Sequence, residues 1–343
     1  MKIISNFLHK NEKWLTPIVL LGGFILDTLT LRRSDLLAEN VLLAVYFILV
    51  LFGLLIWHKF EQKRIKDVDQ LGFQSFIFLV MQFAFGGLFS SLTVFYVKSA
   101  SFYASWPFIL LLFGGMIATE YFKKHFTLFL VQIGTLYMLL FTYLILLVPL
   151  VVRSINSWVF VLSGILSLTA IFVYILIFKL YIPKLTKGKD IYFVYVIGGI
   201  FALINSMYFT NIIPPIPLSL KDSGIYQRVE KNAGTYVFSG FENRFSFRNF
   251  KQEYFIPRGT PVYFYTSVYA PVKFNQKIVH EWQKKNTKDE WVTILKIDFP
   301  IYGGNTNGYR GYTVSNKITE GEYKILVETD SGQVLGVKKF SVK

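Results

Sequence analysis

Ile212–Leu220, with the sequence IIPPIPLSL, is the stretch that divides this chain. Pro214, Pro215 and Pro217 lack a backbone N–H, and each disfavours helical backbone in the residue before it, so no helix runs through this point. Working outward, the N-terminal side is a series of long apolar runs. The C-terminal side alternates apolar and polar residues, with turn residues between short runs. The division implies a transmembrane helical domain over residues 1–211, a proline-containing joint and linker over 212–235, and a β domain over 236–343.

Of 343 residues, 53% are hydrophobic and 18% aromatic, and the excess over an ordinary soluble domain lies before the joint. The net charge of +15 is split evenly, with 17 Lys/Arg and 9 Asp/Glu before residue 212 and 19 and 12 after it. A basic balance is compatible with nucleic acid. Loop lysines and arginines between apolar spans account for it without such a partner, so nucleic acid is not expected. The chain has no cysteine, which excludes disulfides, thiol nucleophiles and thiolate metal sites.

A bilayer core needs about 20 helical residues to cross it. Runs of that length predict seven spans, Trp14–Leu31, Leu37–Trp57, Phe73–Val97, Phe102–Phe122, Phe126–Val152, Trp158–Tyr181 and Ile191–Thr210. Trp14, Trp57, Trp106 and Trp158 stand near span ends, where an indole prefers the interface. No small-residue cleavage site follows the first run, so it reads as a retained helix. Twelve Lys/Arg fall at the N-terminus and in alternate loops, and only Arg32, Arg33, Lys98 and Arg153 in the others. This places the N-terminus in the cytoplasm and, after seven spans, the β domain outside an inner (cell) membrane.

Polar groups within the spans are few. Asp27 either pairs with Arg32 or Arg33 near the interface or serves a proton or ion role. Glu120 either pairs with Lys124 one turn on or serves the same role. The chain lacks the inverted repeats and broken helices usual in transporters. Gly86-Gly87, Gly114-Gly115, Gly198-Gly199 and Gly22-Gly23 read as close helix contacts.

After the joint, residues 220–236 read as a connecting segment. Alternation then predicts strands at Tyr236–Phe241, Pro261–Tyr269, Lys277–Gln283, Trp291–Phe299, Tyr309–Ser315, Glu322–Thr329 and Val334–Val342. Seven short strands of this kind suggest an antiparallel sandwich of immunoglobulin-like size.

Three runs, VHEWQ (Val279–Gln283), YRGYTVS (Tyr309–Ser315) and GEYKILVETDSGQVLGVKKFSV (Gly321–Val342), resemble a bacterial family of integral membrane proteins that carries domain of unknown function 2914. The pattern falls here on His280, Trp282, Arg310, Tyr312, Thr313, Ser315, Gly321, Asp330 and Gly332. The family pattern has a second Trp where Tyr312 stands. The stretches TPIVLLGGFILDTLTLRR and IPPIPLSLKDSGIY extend the likeness into the membrane half. The resemblance implies the architecture and carries no activity.

His280 and Trp282 are two apart and share one face of a strand. That face is either the packed core or an aromatic platform for a sugar or peptide, with His280, Arg310 and Tyr312 as its partners. The chain has no nucleophile-elbow, zinc-protease or phosphate-loop motif, and its four histidines are scattered. Neither an enzyme nor a cofactor or metal is expected. The expected function is a membrane-tethered scaffold, sensor or interaction module that binds an envelope protein or glycan, with the lipid bilayer as its other partner. The alternative is a transporter or channel using Asp27 and Glu120. A tag placed after Lys343 is expected to be cleaved by protease in intact spheroplasts. Protection until lysis would put the β domain in the cytoplasm.

Overall fold

From Leu37 to Phe209 the described apolar runs are helices. A computed structural model describes residues 24–25, 27–31, 33–62, 68–99, 101–121, 128–232, 235–241, 252–256, 260–305, 307–316 and 318–343. Six long helices lie within these residues: α1 (Leu37–Gln62), α2 (Val68–Ser99), α3 (Phe102–Tyr121), α4 (Phe129–Val152), α5 (Ser157–Tyr181) and α6 (Asp190–Phe209). Five of them contain stretches long and apolar enough to cross a membrane, and α3 carries a shorter one, Tyr103–Thr119. The expected first span, Trp14–Leu31, lies mostly outside the described residues, as do the loop charges at 63–66 and 123–124.

The chain divides into two compact units. The first holds the helices. Its inner positions are filled by side chains such as Leu54, Phe85, Leu92, Leu112, Tyr137 and Leu146, while Phe52, Phe83, Leu110, Leu176 and Tyr195 point outward and are exposed. Apolar groups on the outside as well as the inside match a hydrocarbon solvent, in which every backbone group must be bonded within its own helix.

Ring contacts fix the helix order in space. Trp57 meets Phe78, and Phe60 meets Phe73, so α1 and α2 run antiparallel. Tyr96 meets Phe108 across the short α2–α3 connection, which makes these two antiparallel as well. Helix α4 is the centre. It accepts a hydrogen bond at the Thr142 carbonyl from the Tyr96 hydroxyl (2.8 Å), and its Phe141 stacks on Phe160 of α5 and Phe201 of α6.

Two of the glycine pairs divide their roles. A Cβ on Gly87 would come within 2.7 Å of the Tyr46 ring, and one on Gly115 within 2.5 Å of the Phe89 ring. Their partners Gly86 and Gly114, like Gly198 and Gly199, would meet nothing within 4 Å among the described residues. One glycine of each of these two pairs therefore buys close approach.

The second unit comprises Lys98–Trp106, Pro149–Val159 and Tyr208–Lys343. Its described residues carry ten strands: β1 (Ser219–Tyr226), β2 (Arg228–Asn232), β3 (Thr235–Ser239), β4 (Gln252–Tyr254), β5 (Val262–Tyr269), β6 (Asn275–Lys285), β7 (Trp291–Tyr302), β8 (Tyr309–Ser315), β9 (Gly321–Thr329) and β10 (Val334–Val342). They form a three-stranded sheet β1-β5-β8, a five-stranded sheet β4-β10-β9-β6-β7 and the hairpin β2-β3. All pairs are antiparallel except β4 with β10.

The segment read as connecting contains β1 and β2. Its polar residues hid them, because β1 lies at the edge of its sheet and exposes Lys221 and Asp222 while burying Ser219 and Ile225. The proline joint is packed rather than free, with Ile213, Ile216 and Leu218 buried. Gln333 Nε2 donates to the Ile213 carbonyl at 3.5 Å.

The two larger sheets share one core. Ile225, Val262, Phe264 and Val268 of the smaller sheet lie with Ile278, Trp282, Ile325, Val327 and Phe340 of the larger. At the start of β9 the Tyr323 hydroxyl donates to the Thr319 carbonyl (2.7 Å) and accepts from the Thr319 N–H (3.0 Å). This ties the β8–β9 connection to the core, where Tyr323 stacks on Phe340.

The glycine division is directly testable. Gly115→Val is expected to destabilise the detergent-solubilised protein by about 1–3 kcal/mol, as overpacking does. Gly114→Val, into open space, should leave the melting temperature nearly unchanged. Equal effects at the two positions would refute the packing role.

Candidate functional site

Alternation along β5, β6 and β8 sorts the candidate residues onto two faces. His280 and Trp282 point inward and are fully buried. The His280 ring bonds Thr266 Oγ1 through Nε2 (2.9 Å) and Thr313 Oγ1 through Nδ1 (3.0 Å). Trp282 Nε1 donates to the same Thr313 oxygen at 3.1 Å. An indole N–H only donates, so Thr313 accepts from Trp282. The arrangement that uses every group then has Thr313 donating to Nδ1 and His280 Nε2–H donating to Thr266. The four residues form a polar staple between the sheets, β6 on one side and β5 and β8 on the other. Burial lowers the His280 pKa from 6.5 to about 3, which holds the ring neutral.

Arg310 and Tyr312 stand on β8 with side chains on the opposite face, away from His280 and Trp282. Tyr312 is directly paired with Tyr265, and Tyr226 with Tyr263. Tyr236 and Phe238 of the β2-β3 hairpin complete an aromatic cluster. Tyr263 and Tyr312 lie 5.8 Å apart, Tyr236 and Tyr265 5.5 Å, Phe238 and Tyr265 4.8 Å, and Tyr226 and Phe238 4.5 Å in a stack. The Tyr236 hydroxyl donates to the Arg310 carbonyl at 3.0 Å, fixing the hairpin to the sheet. Tyr265 is buried beneath the hairpin residues, while Tyr312 (40% exposed) and Phe238 (39%) remain open. Burial raises the pKa of both Tyr236 and Tyr265, with Arg310 opposing, so these hydroxyls stay protonated.

This surface joins Arg310 and Tyr312 to residues that the sequence reading did not single out, namely Tyr226, Tyr236, Phe238, Tyr263 and Tyr265. The repeat Tyr263-x-Tyr265 was the available signal, since period two puts both rings on one face. The hairpin that brings Tyr236 and Phe238 over them has no local signature.

Among the helices, Asp27 is half-buried near Ser90 and Glu39. Arg33 pairs with Asp35 at 3.3 Å. The Glu120 side chain lies outside the described residues. His58, also not singled out, is buried, with Nδ1 2.9 Å from Glu61 and Nε2 2.7 Å from Gln132 of α4.

Residues 275–342 match the family described as "Protein of unknown function (DUF2914)". No curated protein matches this chain. Among solved structures, the chain is matched to Pseudomonas fluorescens alkylpurine DNA glycosylase AlkC bound to DNA containing an abasic site analog, at 8% identity over 82% of this chain and 83% of that one. The TM-score of 0.23 carries no argument about fold or function.

Thr313→Val strips the hydroxyl that serves two buried groups and is expected to cost about 1–3 kcal/mol for each left unpaired. The full chain in detergent should melt correspondingly earlier. Because the folded state refuses a proton that an unfolded imidazole accepts near pH 6.5, stability should fall as pH drops from there toward 3. The His280 contribution approaches about 1.4 kcal/mol per pH unit. A His280→Asn variant should show a shallower acid slope. An unchanged slope would mean that His280 takes no part.

Proposed function

We propose that this is a multi-pass membrane protein whose C-terminal β domain is a binding module, and that its site is the open aromatic face around Tyr312, Tyr263, Phe238 and Arg310. In this reading seven spans cross the cell membrane, the N-terminus is cytoplasmic and the β domain lies outside. Supporting the topology, the connections that belong to the β unit carry Lys98 and Arg153 alone among the charges of residues 98–106 and 149–159, whereas residues 182–189 carry Lys184, Lys187 and Lys189.

In the same reading the β domain is immunoglobulin-like. Taken in chain order, β1, β5, β6, β7, β8, β9 and β10 correspond to strands A, B, C, C′, E, F and G. Sheet orders β1-β5-β8 and β10-β9-β6-β7 then agree with A-B-E and G-F-C-C′. A buried Trp282 on the C position and the Tyr323 corner at the start of the F position support it further.

The observation that carries the function is the pair of open rings, Tyr312 and Phe238, flanking Tyr263 and a guanidinium on a rigid sheet face. Flat aromatic surface offers stacking area at low entropic cost, and Arg310 offers charged donors at its margin. A sugar ring with apolar faces and a polar rim suits such a surface, so an envelope glycan is the ligand class.

A second reading, transport through the membrane domain using Asp27 and Glu120, draws support from the buried His58 bonded at both ring nitrogens. One comparison separates the two. Tyr312→Ala with Arg310→Gln is expected to weaken binding of soluble peptidoglycan fragments to the full-length protein by about fivefold or more, at about 1 kcal/mol per lost stacking contact. The same pair should fail to complement a deletion strain, while Asp27→Asn with Glu120→Gln complements it. The reverse pattern would overturn the binding reading, and retained complementation with a newly lost protein partner would replace the glycan by a protein.

A further inference from the structure

A different face of the β domain carries a charge arrangement that the aromatic site does not use. Glu322, Lys324 and Glu328 share the outer face of the five-stranded sheet, opposite inward-facing Tyr323, Ile325 and Val327. Most lysines there are neutralised. Lys296 reaches Glu328 at 3.1 Å and Glu281 at 3.4 Å, and Lys285 reaches Asp289 at 2.7 Å and Glu322 at 3.7 Å.

Lys324 and Lys339 are the exception. They are directly opposed in the β9–β10 register. Among the described residues neither ammonium has a carboxylate within 4 Å, and Glu281 attracts Lys324 only from farther off. Both lie over one ring, Tyr103, at 5.8 and 5.1 Å from its centroid, and Lys324 also lies over Trp291 at 4.7 Å. Lys324 is 6% exposed. Like charges directly across a sheet repel, and a buried ammonium is costly without a counter-charge. Burial and then Lys339 pull the Lys324 pKa down, as expected for such a pair.

The surroundings indicate which anion relieves this. Tyr103 stands in the first turn of α3, beside an apolar helix, and Trp106 one turn on is 55% exposed. Tyr and Trp at a helix end mark the level of lipid headgroups, and basic residues at that level attract anionic lipid. We infer that Lys324 and Lys339, walled by Tyr103 and Trp291, form a binding site for a phosphate group, the chemistry shared by an anionic phospholipid headgroup and free phosphate. The two ammonium groups bracket the anion, and the rings hold them in place through their negative faces.

The test uses the full-length protein in phosphatidylcholine discs, with or without phosphatidylglycerol, released and weighed by native mass spectrometry. A second arm measures melting of the detergent-solubilised protein against inorganic phosphate. Retained phosphatidylglycerol on the wild type, reduced about tenfold or more in Lys324→Gln/Lys339→Gln and preserved in Lys324→Arg/Lys339→Arg, is the expected result for two basic contacts and identifies a lipid source. Stabilisation by inorganic phosphate that the Gln pair abolishes, without lipid retention, supports the site with a soluble source. Should the Gln pair fail to fold, competition settles the question on the wild type, because phosphate must displace the retained lipid. Equal retention and equal phosphate response in wild type and Gln pair, or no displacement by phosphate, overturns the assignment.

Discussion

A peptide group inside hydrocarbon has no water to bond, and the described apolar helices between Leu37 and Phe209 suit that constraint. Each backbone N–H and C=O must be answered within its own segment, which is what a long apolar helix does, and five of the described helices are long and apolar enough to cross a membrane. The outer surface of those helices is then free to be apolar, as Phe52, Leu110 and Leu176 show by their exposure. Association between such helices cannot draw on the hydrophobic effect, because lipid is as apolar as a leucine. It relies on close fit instead. Helix α4 supplies that fit as the buried centre, and Gly87 and Gly115 let the Tyr46 and Phe89 rings approach the backbone of α2 and α3.

Beyond the prolines the organising pattern changes. Strands alternate, and two sheets bury their inner faces against each other. The centre of that core is not wholly apolar. Thr313, His280, Thr266 and Trp282 satisfy one another across the gap between the sheets. A buried polar group without a partner is costly, so a fully satisfied set favours one relative placement of the strands over others. The Tyr323 corner and the Gln333 contact with Ile213 act in the same direction at the edges. With the inner face fixed, the outer faces are free to differ. One presents rings and Arg310, the other paired and unpaired lysines.

Much of this was legible in the sequence. The helix boundaries follow the apolar runs closely, from Leu37 to Phe209, because span length and composition are properties of single segments. Strands β5 to β10 also follow the alternation. Strands β1, β2 and β4 escaped it. They are short or lie at edges, and Lys221, Asp222, Arg228 and Lys231 give β1 and β2 the look of a linker. Of the four residues proposed for the β-domain surface, His280 and Trp282 are in the core, and Arg310 and Tyr312 are on the opposite face. Period-two spacing says that His280 and Trp282 share a face, as do Arg310 and Tyr312. It does not say which face is covered.

The sequence by itself determined where helix gives way to sheet, how long the apolar helices from Leu37 to Phe209 are and which residues of a strand share a face, since local backbone chemistry and periodicity settle those. Only the tertiary structure decided that Thr313 serves both His280 and Trp282, that a hairpin lays Tyr236 and Phe238 over Tyr265, and that Lys324 faces Lys339 beneath Tyr103. These contacts join residues from 15 to 236 positions apart. Their partners are chosen by strand order and register, which depend on every pairing in the sheet at once.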